Sequence, residues 1–303
     1  MSYLYQHSDF VELINQTATR LKMPADFVEK DYWVSYVLYR LVDAGVNDFV
    51  FKGGTSLSKG WNLIDRFSED IDLLFVPSSI SKDRQRKRLS AVKAIVSEFD
   101  GITYDKENSE SSGSYRADRF NYARRTSSST GLLLPYIKLE MGFRGGDSPQ
   151  TTVKIQSYIG KQIEAAGGMA GFVDVEPFEI SVLDPKRTFV EKLFAIHSAH
   201  TNGQIEKYVR HYYDVHKLLG LAEIREFIGS ADYNSLKVDV ASVSQQFFKT
   251  VAPADLDFSR SPAFQSSPEL ISEIDRSLSA QSGLYFSPLP SAKEIMNGLA
   301  LIR

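Results

Sequence analysis

FKGGTSLSKGWNLIDRFSEDIDLLF, residues 51–75, combines a glycine pair with an acidic segment. The run NDFVFK before the pair is rich in β-formers and is ended by Gly53 and Gly54, which predicts a strand followed by a turn. TSLSKGWNLI then predicts a helix with Thr55 as its cap, and DIDLLFV predicts a second strand. A glycine pair before a helix lets backbone N–H groups approach a phosphate, to which the Thr55 hydroxyl can also donate. Most glycine pairs are simple turns, so both interpretations stay open at this point.

Asp70 and Asp72 lie two residues apart in the predicted second strand. Residues i and i+2 of a strand point to the same face, roughly 7 Å apart, so both carboxylates are expected to face one cleft. The apolar residues Ile71, Leu73 and Phe75 are expected to face the core. Carboxylate oxygens suit Mg²⁺, which keeps phosphate oxygens among its ligands. The alternative is an edge strand with one solvated face, although aspartate is depleted in strands.

A third carboxylate is predicted in PYIKLEMGF, residues 135–143. Apolar and polar residues alternate there, which predicts a strand whose polar face carries Lys138 and Glu140. A carboxylate at this position can complete a metal site and accept the proton of an attacking hydroxyl. A solvated Lys–Glu face is the alternative.

Two further candidates lie in the helical C-terminal part of the chain. DPKRTFVEKLFAIHSAH begins with Asp184 as a cap and Pro185 in the first turn, and it places Lys192 beside an apolar stripe. Asp214 follows 22 residues later, in YVRHYYDVHKLL. The alternatives are a lysine that extends along apolar surface to reach water and an aspartate on a solvated helix face.

The string GGTSLSKGW-x₄-RFSEDIDL resembles the AbiEii/AbiGii nucleotidyltransferase toxins, a branch of the nucleotidyltransferase superfamily that includes DNA polymerase β. The Walker motif G-x-x-x-x-G-K-[ST] and the dinucleotide fingerprint G-x-G-x-x-G are absent. Fifteen residues separate Gly54 from Asp70, which suits this branch better than the polymerases. Lys192 and the R-x-x-x-D pattern that ends at Asp214 also resemble the family, whereas Glu140 stands where the superfamily more often has aspartate.

The resemblance implies an α/β (α+β) fold. A polymerase β-like nucleotidyltransferase core with a mixed sheet and N-terminal helices is expected over residues 1–183, and a helical C-terminal domain over 184–303. The implied reaction moves a nucleotide from a nucleoside triphosphate (NTP) to an acceptor hydroxyl, expected at the 3′ end of tRNA, and releases pyrophosphate. Mg²⁺, or Mn²⁺ in its place, would be the cofactor. The protein would be the toxin of a toxin–antitoxin or phage-defence system with a separately encoded antitoxin.

The resemblance also implies roles for individual residues. The implied metal ligands are Asp70, Asp72 and Glu140. The implied nucleotide-binding residues are Gly53, Gly54, Thr55, Arg66, Ser68 and Lys192. The residues implied in catalysis are Asp70, Asp72, Glu140, Lys192 and Asp214. In this scheme Lys192 neutralises triphosphate charge, and Asp214 orients the lysine or the acceptor.

Composition narrows the class of protein without identifying the reaction. The 303 residues are 43% hydrophobic and 24% charged, which is typical of a globular protein. No apolar run reaches roughly 18–20 residues, and no basic segment precedes an apolar core at the N-terminus, so neither a membrane span nor a signal peptide is expected. The lack of cysteine excludes disulfides and thiolate metal sites, and a cytoplasmic location is expected.

Several acceptors remain open at the level of sequence. The net charge of −3 does not indicate a nucleic-acid binder, so contact with RNA would need a local patch. One candidate interleaves aromatic residues with Arg116, Arg119, Arg124 and Arg125, a pattern that suits phosphate contact and base stacking, or else a solvated surface. The alternatives to RNA are a small molecule such as an aminoglycoside and a protein hydroxyl. A non-catalytic nucleotide-binding partner protein is the alternative from another class.

Overall fold

The computed structural model describes residues 2–127, 130–168, 171–247 and 255–302. The strands are β1 (Phe49–Lys52), β2 (Ile71–Phe75), β3 (Ile102–Ser112), β4 (Tyr115–Tyr122), β5 (Ile137–Gly142), β6 (Gln150–Ile155) and β7 (Phe178–Leu183). They form one seven-stranded sheet in the order β3-β4-β5-β2-β1-β7-β6. Both parallel and antiparallel pairs occur, so the predicted mixed sheet is confirmed.

Helices occupy both ends of the chain and the connections between strands. Those of the N-terminal part are α1 (Phe10–Leu21), α2 (Ala25–Asp43), α3 (Gly53–Thr55), α4 (Lys82–Ser97) and α5 (Tyr158–Ala165). Those of the C-terminal part are α6 (Pro185–Thr201), α7 (Ile205–Leu219), α8 (Ala222–Phe227), α9 (Ala231–Phe247), α10 (Pro268–Ala280) and α11 (Ala292–Leu299). The short α3 continues directly into a π turn, Ser56–Gly60.

The chain divides into two units. The first contains Met1–Gly60, Phe67–Arg144 and Gln150–Val182, and the second contains Trp61–Arg66, Gly145–Pro149 and Leu183–Arg303. Two short segments of the predicted N-terminal domain therefore belong to the second unit. The first of them is bound there by its backbone, because the N–H of Phe286 donates to the carbonyl of Asp65 at 2.8 Å.

The centre of the first unit is the pair β2 and β5. β2 is antiparallel to β1 and parallel to β5. The predicted core residues Ile71, Leu73 and Phe75 are at most 2% exposed. β5 alternates as predicted, because its apolar side chains are fully buried while Lys138 and Glu140 are half-buried. Apolar burial thus holds the two strands that carry the predicted carboxylates.

Three predicted boundaries are wrong. The composition of residues 105–112, polar and rich in serine, predicts a flexible loop, but these residues belong to β3, an edge strand that pairs with β4. An edge strand needs little apolar character, since one side of it stays open to water. VKIQSYI, residues 153–159, is predicted as a strand by its apolar and β-branched residues, but β6 ends at Ile155, because Ser157 accepts a hydrogen bond from the Gly160 N–H and caps α5. TSLSKGWNLI is helical only to Gly60, and the helix already begins at Gly53.

The second unit contains the predicted C-terminal helices. α6 begins as predicted, because Asp184 accepts a hydrogen bond from the Lys186 N–H at 2.7 Å and Pro185 occupies the first helical position. The predicted apolar stripe of α6, Phe189, Leu193 and Ile196, is fully buried. Burial of this stripe brings Lys192 of the same helix into the interior, where it is 5% exposed.

Candidate active site

The backbone of Gly53 lies directly against the carboxylate of Asp72. Gly53 has a φ of +79°, which L side chains rarely adopt, and a Cβ on it would lie 2.1 Å from Oδ2 of Asp72. The contact follows from the sheet, because Lys52 and Asp72 are partners in the antiparallel ladder between β1 and β2. Only a glycine allows the chain to turn from β1 into α3 at this distance from the carboxylate.

Asp72 and Glu140 face each other on neighbouring strands. β2 and β5 run parallel with Asp72 opposite Glu140, and adjacent strands are about 4.8 Å apart. Asp70 lies just before β2, where its buried Oδ1 has no hydrogen-bond partner among the described residues. The sheet therefore places the three predicted carboxylates at one edge of the β2–β5 pair.

The negative charges of these three carboxylates repel each other. Burial raises the pKa of Asp72 to about 7, and repulsion from Glu140 and Asp70 contributes to the rise. The positive charges of Lys52 and Lys138 lower it in part. A cation placed beside these oxygens would relieve the repulsion.

Glu140 is held by two neighbours. The Tyr115 hydroxyl donates to its Oε2 at 2.9 Å, and Lys138 Nζ forms an ion pair with its Oε1. Burial, followed by the Glu140 charge, raises the pKa of Tyr115, so the phenol stays protonated and remains a donor. Although burial opposes it, the contact with Glu140 and the charges of the carboxylates raise the pKa of Lys138. Lys138 thus acts as a positive counter-charge for the carboxylates.

The donor set fits a hard divalent cation. Asp70 and Asp72 offer carboxylate oxygens, the ligand type that Mg²⁺ and Mn²⁺ take. Across residues 2–127, 130–168, 171–247 and 255–302, no three histidine, cysteine, aspartate or glutamate side chains have the arrangement of a complete metal site. Glu140 is instead bound by Lys138 and Tyr115. The unpartnered Asp70 Oδ1 and the repulsion at Asp72 are the features that a cation would satisfy.

The sequence predicted Thr55 as the cap of the helix, and this prediction is wrong. Thr55 is the third residue of α3, whose N-cap is Lys52. The hydroxyl of this buried residue donates to the Ser68 hydroxyl at 2.9 Å. This hydrogen bond between two predicted nucleotide-binding residues joins the glycine segment to the segment that precedes β2. The predicted helix boundary was wrong because Gly53 itself enters the helix after its positive-φ turn.

A buried charge cluster lies in the second unit. Arg66 Nε and Nη2 donate to Oδ1 and Oδ2 of Asp214, each at 2.7 Å, and Lys192 Nζ lies 2.8 Å from Oδ2. Burial favours the neutral carboxyl, but Arg66 and Lys192 outweigh it and hold the pKa of Asp214 well below its usual range. His211 Nδ1 lies 3.4 Å from Lys192 Nζ, and burial together with that charge lowers the pKa of His211. Asp214 therefore pairs with both Lys192 and Arg66, the residue predicted beside Ser68.

With this geometry established, comparisons with known proteins identify the family. A family model described as "Nucleotidyl transferase AbiEii toxin, Type IV TA system" matches residues 36–297. The chain belongs to the AbiEii family of nucleotidyltransferase toxins. As an AbiEii protein it is a nucleotidyltransferase, and its substrate is an NTP. It is the toxin of a type IV toxin–antitoxin system and has an antitoxin as its partner. The chemistry of the family implies a divalent metal.

A solved structure shares the fold of this AbiEii protein. MenT4, a nucleotidyltransferase toxin from Mycobacterium tuberculosis H37Rv, matches with a TM-score of 0.50 and 16% identity, over 96% of this chain and 99% of that one. Comparison with curated proteins gives no match. Within the described residues, none of the helices has the length and apolar character needed to cross a membrane.

The arginines considered for RNA contact in this AbiEii protein differ in their surroundings. Arg116 is occupied by the buried Asp118, to which its guanidinium donates twice. The guanidinium of Arg119 lies 4.7 Å from the ring centre of Tyr136. Arg124 and Arg125 are exposed. Arg119, Arg124 and Arg125 are therefore better placed than Arg116 to meet a ligand.

Sequence reasoning missed several residues that organise the AbiEii site. Tyr115 and Lys138 were treated as parts of a polar pattern, yet both hold Glu140. The buried charges of α2 were also missed, although Glu29, Lys30 and Asp31 stand side by side in a helix whose other residues are mostly apolar. Three adjacent charges in such a helix are a usable signal, because charged side chains are rarely buried without partners.

Proposed function

We propose that this AbiEii toxin transfers a nucleotide from an NTP to the 3′ hydroxyl of an RNA, the acceptor end of tRNA, in the cytoplasm as a phage defence. We also propose that Mg²⁺, or Mn²⁺ in its place, is the metal. The observation that carries this proposal is the register of Asp72 opposite Glu140, with Asp70 beside them. The exposed Arg124 and Arg125 support an acceptor that bears phosphates.

In the proposed reaction the acceptor oxygen attacks the α-phosphorus of the NTP. The bond from the α-phosphorus to the oxygen that bridges to the β-phosphate breaks, and pyrophosphate leaves. Glu140 accepts the proton of the attacking hydroxyl, held in place by the Tyr115 hydrogen bond. Asp70, Asp72 and Glu140 would hold the metal, whose charge would offset that of the triphosphate.

Nucleotide binding is proposed for the glycine segment. Gly53 brings its backbone against Asp72, Gly54 follows it in α3, and the Thr55–Ser68 hydrogen bond keeps this segment in place. We further assign Lys192 to charge neutralisation on the triphosphate, with Asp214 and Arg66 holding the lysine in a defined position. Most of the catalytic effect then comes from positioning and from electrostatic stabilisation.

The test supplies each α-labelled NTP with Mg²⁺ and either total RNA, total protein or an aminoglycoside panel. Label is expected in RNA of tRNA size and, after nuclease digestion, at the 3′ terminal nucleotide. Asp70→Asn and Asp72→Asn should abolish labelling, while Lys154→Met, an exposed change on β6, should leave it intact. Label that enters only protein or only the small molecules would overturn the RNA assignment.

A further inference from the structure

Helix α2 carries a row of buried charged side chains. Asp26, Glu29, Lys30 and Asp31 are each at most 6% exposed. Burying an ionised group is expensive unless hydrogen bonds and an opposite charge compensate for it. The partners that compensate these buried charges therefore indicate which parts of the structure the helix fixes.

Lys30 uses its full hydrogen-bonding capacity. An ammonium group has three donors and no acceptor. Lys30 Nζ donates to the carbonyl of Leu134 at 2.8 Å and to the carbonyl of Tyr136, and it lies 3.1 Å from Oε2 of Glu69. Glu69 in turn accepts a hydrogen bond from the Leu134 N–H at 3.0 Å. The lysine, the carboxylate and the backbone form a closed set of contacts.

These contacts join the starts of the two carboxylate strands. Glu69 immediately precedes Asp70 and the strand β2, and Tyr136 immediately precedes β5, which carries Glu140. The two strands are parallel and far apart in sequence, so no tight turn sets their relative register. A slip of one residue would move Glu140 to the opposite face of the sheet.

We propose that Lys30 is a positioning residue for the reaction, because it fixes the start of β2 against the start of β5 and so keeps Asp72 opposite Glu140. It does not touch the substrate in this role. The inference rests on the proposed function of the carboxylates as metal ligands. Loss of Lys30 should therefore weaken divalent-metal binding and slow the transfer, while nucleotide affinity changes little.

The test compares wild type with Lys30→Met/Glu69→Gln, which removes both charges of the pair together and so avoids an unpaired Glu69. Mn²⁺ binding is measured by paramagnetic resonance in the absence of nucleotide, and kcat and the KM for NTP are measured separately. Substitution of the residues that hold the ligands of a metal site typically lowers metal affinity or activity by 10- to 100-fold. We expect Mn²⁺ affinity and kcat to fall by about tenfold or more, with KM within about twofold.

The control is Arg88→Met/Asp48→Asn, which removes another ion pair of the first unit. Asp48 precedes β1 at the end opposite Lys52, the partner of Asp72, so this change leaves the carboxylates in place. Equal thermal destabilisation by both double variants, with unchanged Mn²⁺ affinity and kcat in both, would show that Lys30 serves stability alone and would overturn the inference.

Two further results keep the test decisive. If the double variant does not fold, Glu69→Gln alone retains both carbonyl contacts of Lys30 and should give a smaller loss of Mn²⁺ affinity; no loss would count against the inference. If wild type transfers nucleotide without binding Mn²⁺, the metal assignment of the proposed function fails. The effect on kcat then still decides whether Lys30 positions the carboxylates.

Discussion

Gly53 and Asp72 approach so closely that a methyl group on Gly53 would lie 2.1 Å from Oδ2 of Asp72. The glycine also holds a φ of +79°, so its role combines backbone conformation with space for the carboxylate. Gly45 provides a comparison within the same unit, because its φ is +74° and nothing lies within 4 Å of its Cβ position.

We expect Gly53→Ala to lower nucleotide transfer by about 100-fold, because a displacement of about 1 Å at reacting groups can have an effect of that size. Gly45→Ala should cost about 1 kcal/mol of backbone strain and leave the transfer rate near that of wild type. Steady-state kinetics and thermal unfolding of both variants check this. Equal losses of activity in the two variants would mean that the contact with Asp72 is unimportant.

Lys138→Met should destabilise the metal-free protein, because three carboxylates lose a nearby positive charge. The same change should increase the gain in melting temperature on adding Mn²⁺, since the ion no longer competes with an ammonium group for Glu140. Thermal unfolding with and without Mn²⁺ measures both effects. Lys154→Met removes the same charge from an exposed position on β6 and should behave like wild type. An unchanged Mn²⁺ response in Lys138→Met would contradict the role of counter-charge.

Asp72→Asn should stabilise the metal-free protein at pH 8 while it abolishes transfer. Burial raises the pKa of Asp72 to about 7 in the folded state, so the folded protein binds this proton more tightly than the unfolded chain. Stability from this group is therefore full below the unfolded pKa and is lost as pH rises toward about 7. The gain should be on the order of 4 kcal/mol at pH 8 and small near pH 4. Urea unfolding at both values measures it, and a gain independent of pH would point to another cause.

Asp214→Ala should be strongly destabilising, by about 3–5 kcal/mol, because Arg66 and Lys192 would remain buried without their shared carboxylate. Lys192→Met should cost less, since Asp214 keeps both hydrogen bonds from Arg66. If Lys192 neutralises triphosphate charge, Lys192→Met should still lose about tenfold or more in kcat/KM. Chemical unfolding and kinetics check both variants.

The control for this pair of changes is Lys217→Met. It removes a half-exposed ion pair with Asp65 in the same unit, which should change stability by less than about 1 kcal/mol. Its transfer rate should stay near that of wild type. Wild-type kcat/KM in Lys192→Met would remove Lys192 from the proposed catalytic set.

Much of the fold could be predicted from the sequence where hydrophobic periodicity is strong. β7 coincides with FEISVL, and β5 alternates as expected, because burial on one face requires apolar residues at every second position. The N-cap of α6 was also visible, since the hydrogen bond from Asp184 is local in sequence. The same alternation placed Glu140 on the polar face of its strand, and the strand pairing shows that this strand lies beside β2.

Prediction failed where the partner of a segment, rather than the segment's own composition, decides the outcome. The polar strand β3 forms because β4 offers a ladder of hydrogen bonds, which composition does not reveal. Arg66 lies only four residues from Asp70, yet it belongs to the other unit because Asp214 binds its guanidinium.

The sequence by itself determined the strands around the glycine pair, the three carboxylates and the family, because these depend on local spacing and residue chemistry. The tertiary structure alone decided which side chains from elsewhere in the chain compensate the interior charges: Tyr115 at Glu140, Lys30 at Glu69, and Arg66 with Lys192 at Asp214. The physical reason is that a buried charge is stabilised only by groups within a few ångströms, and folding brings those groups together from distant parts of the chain.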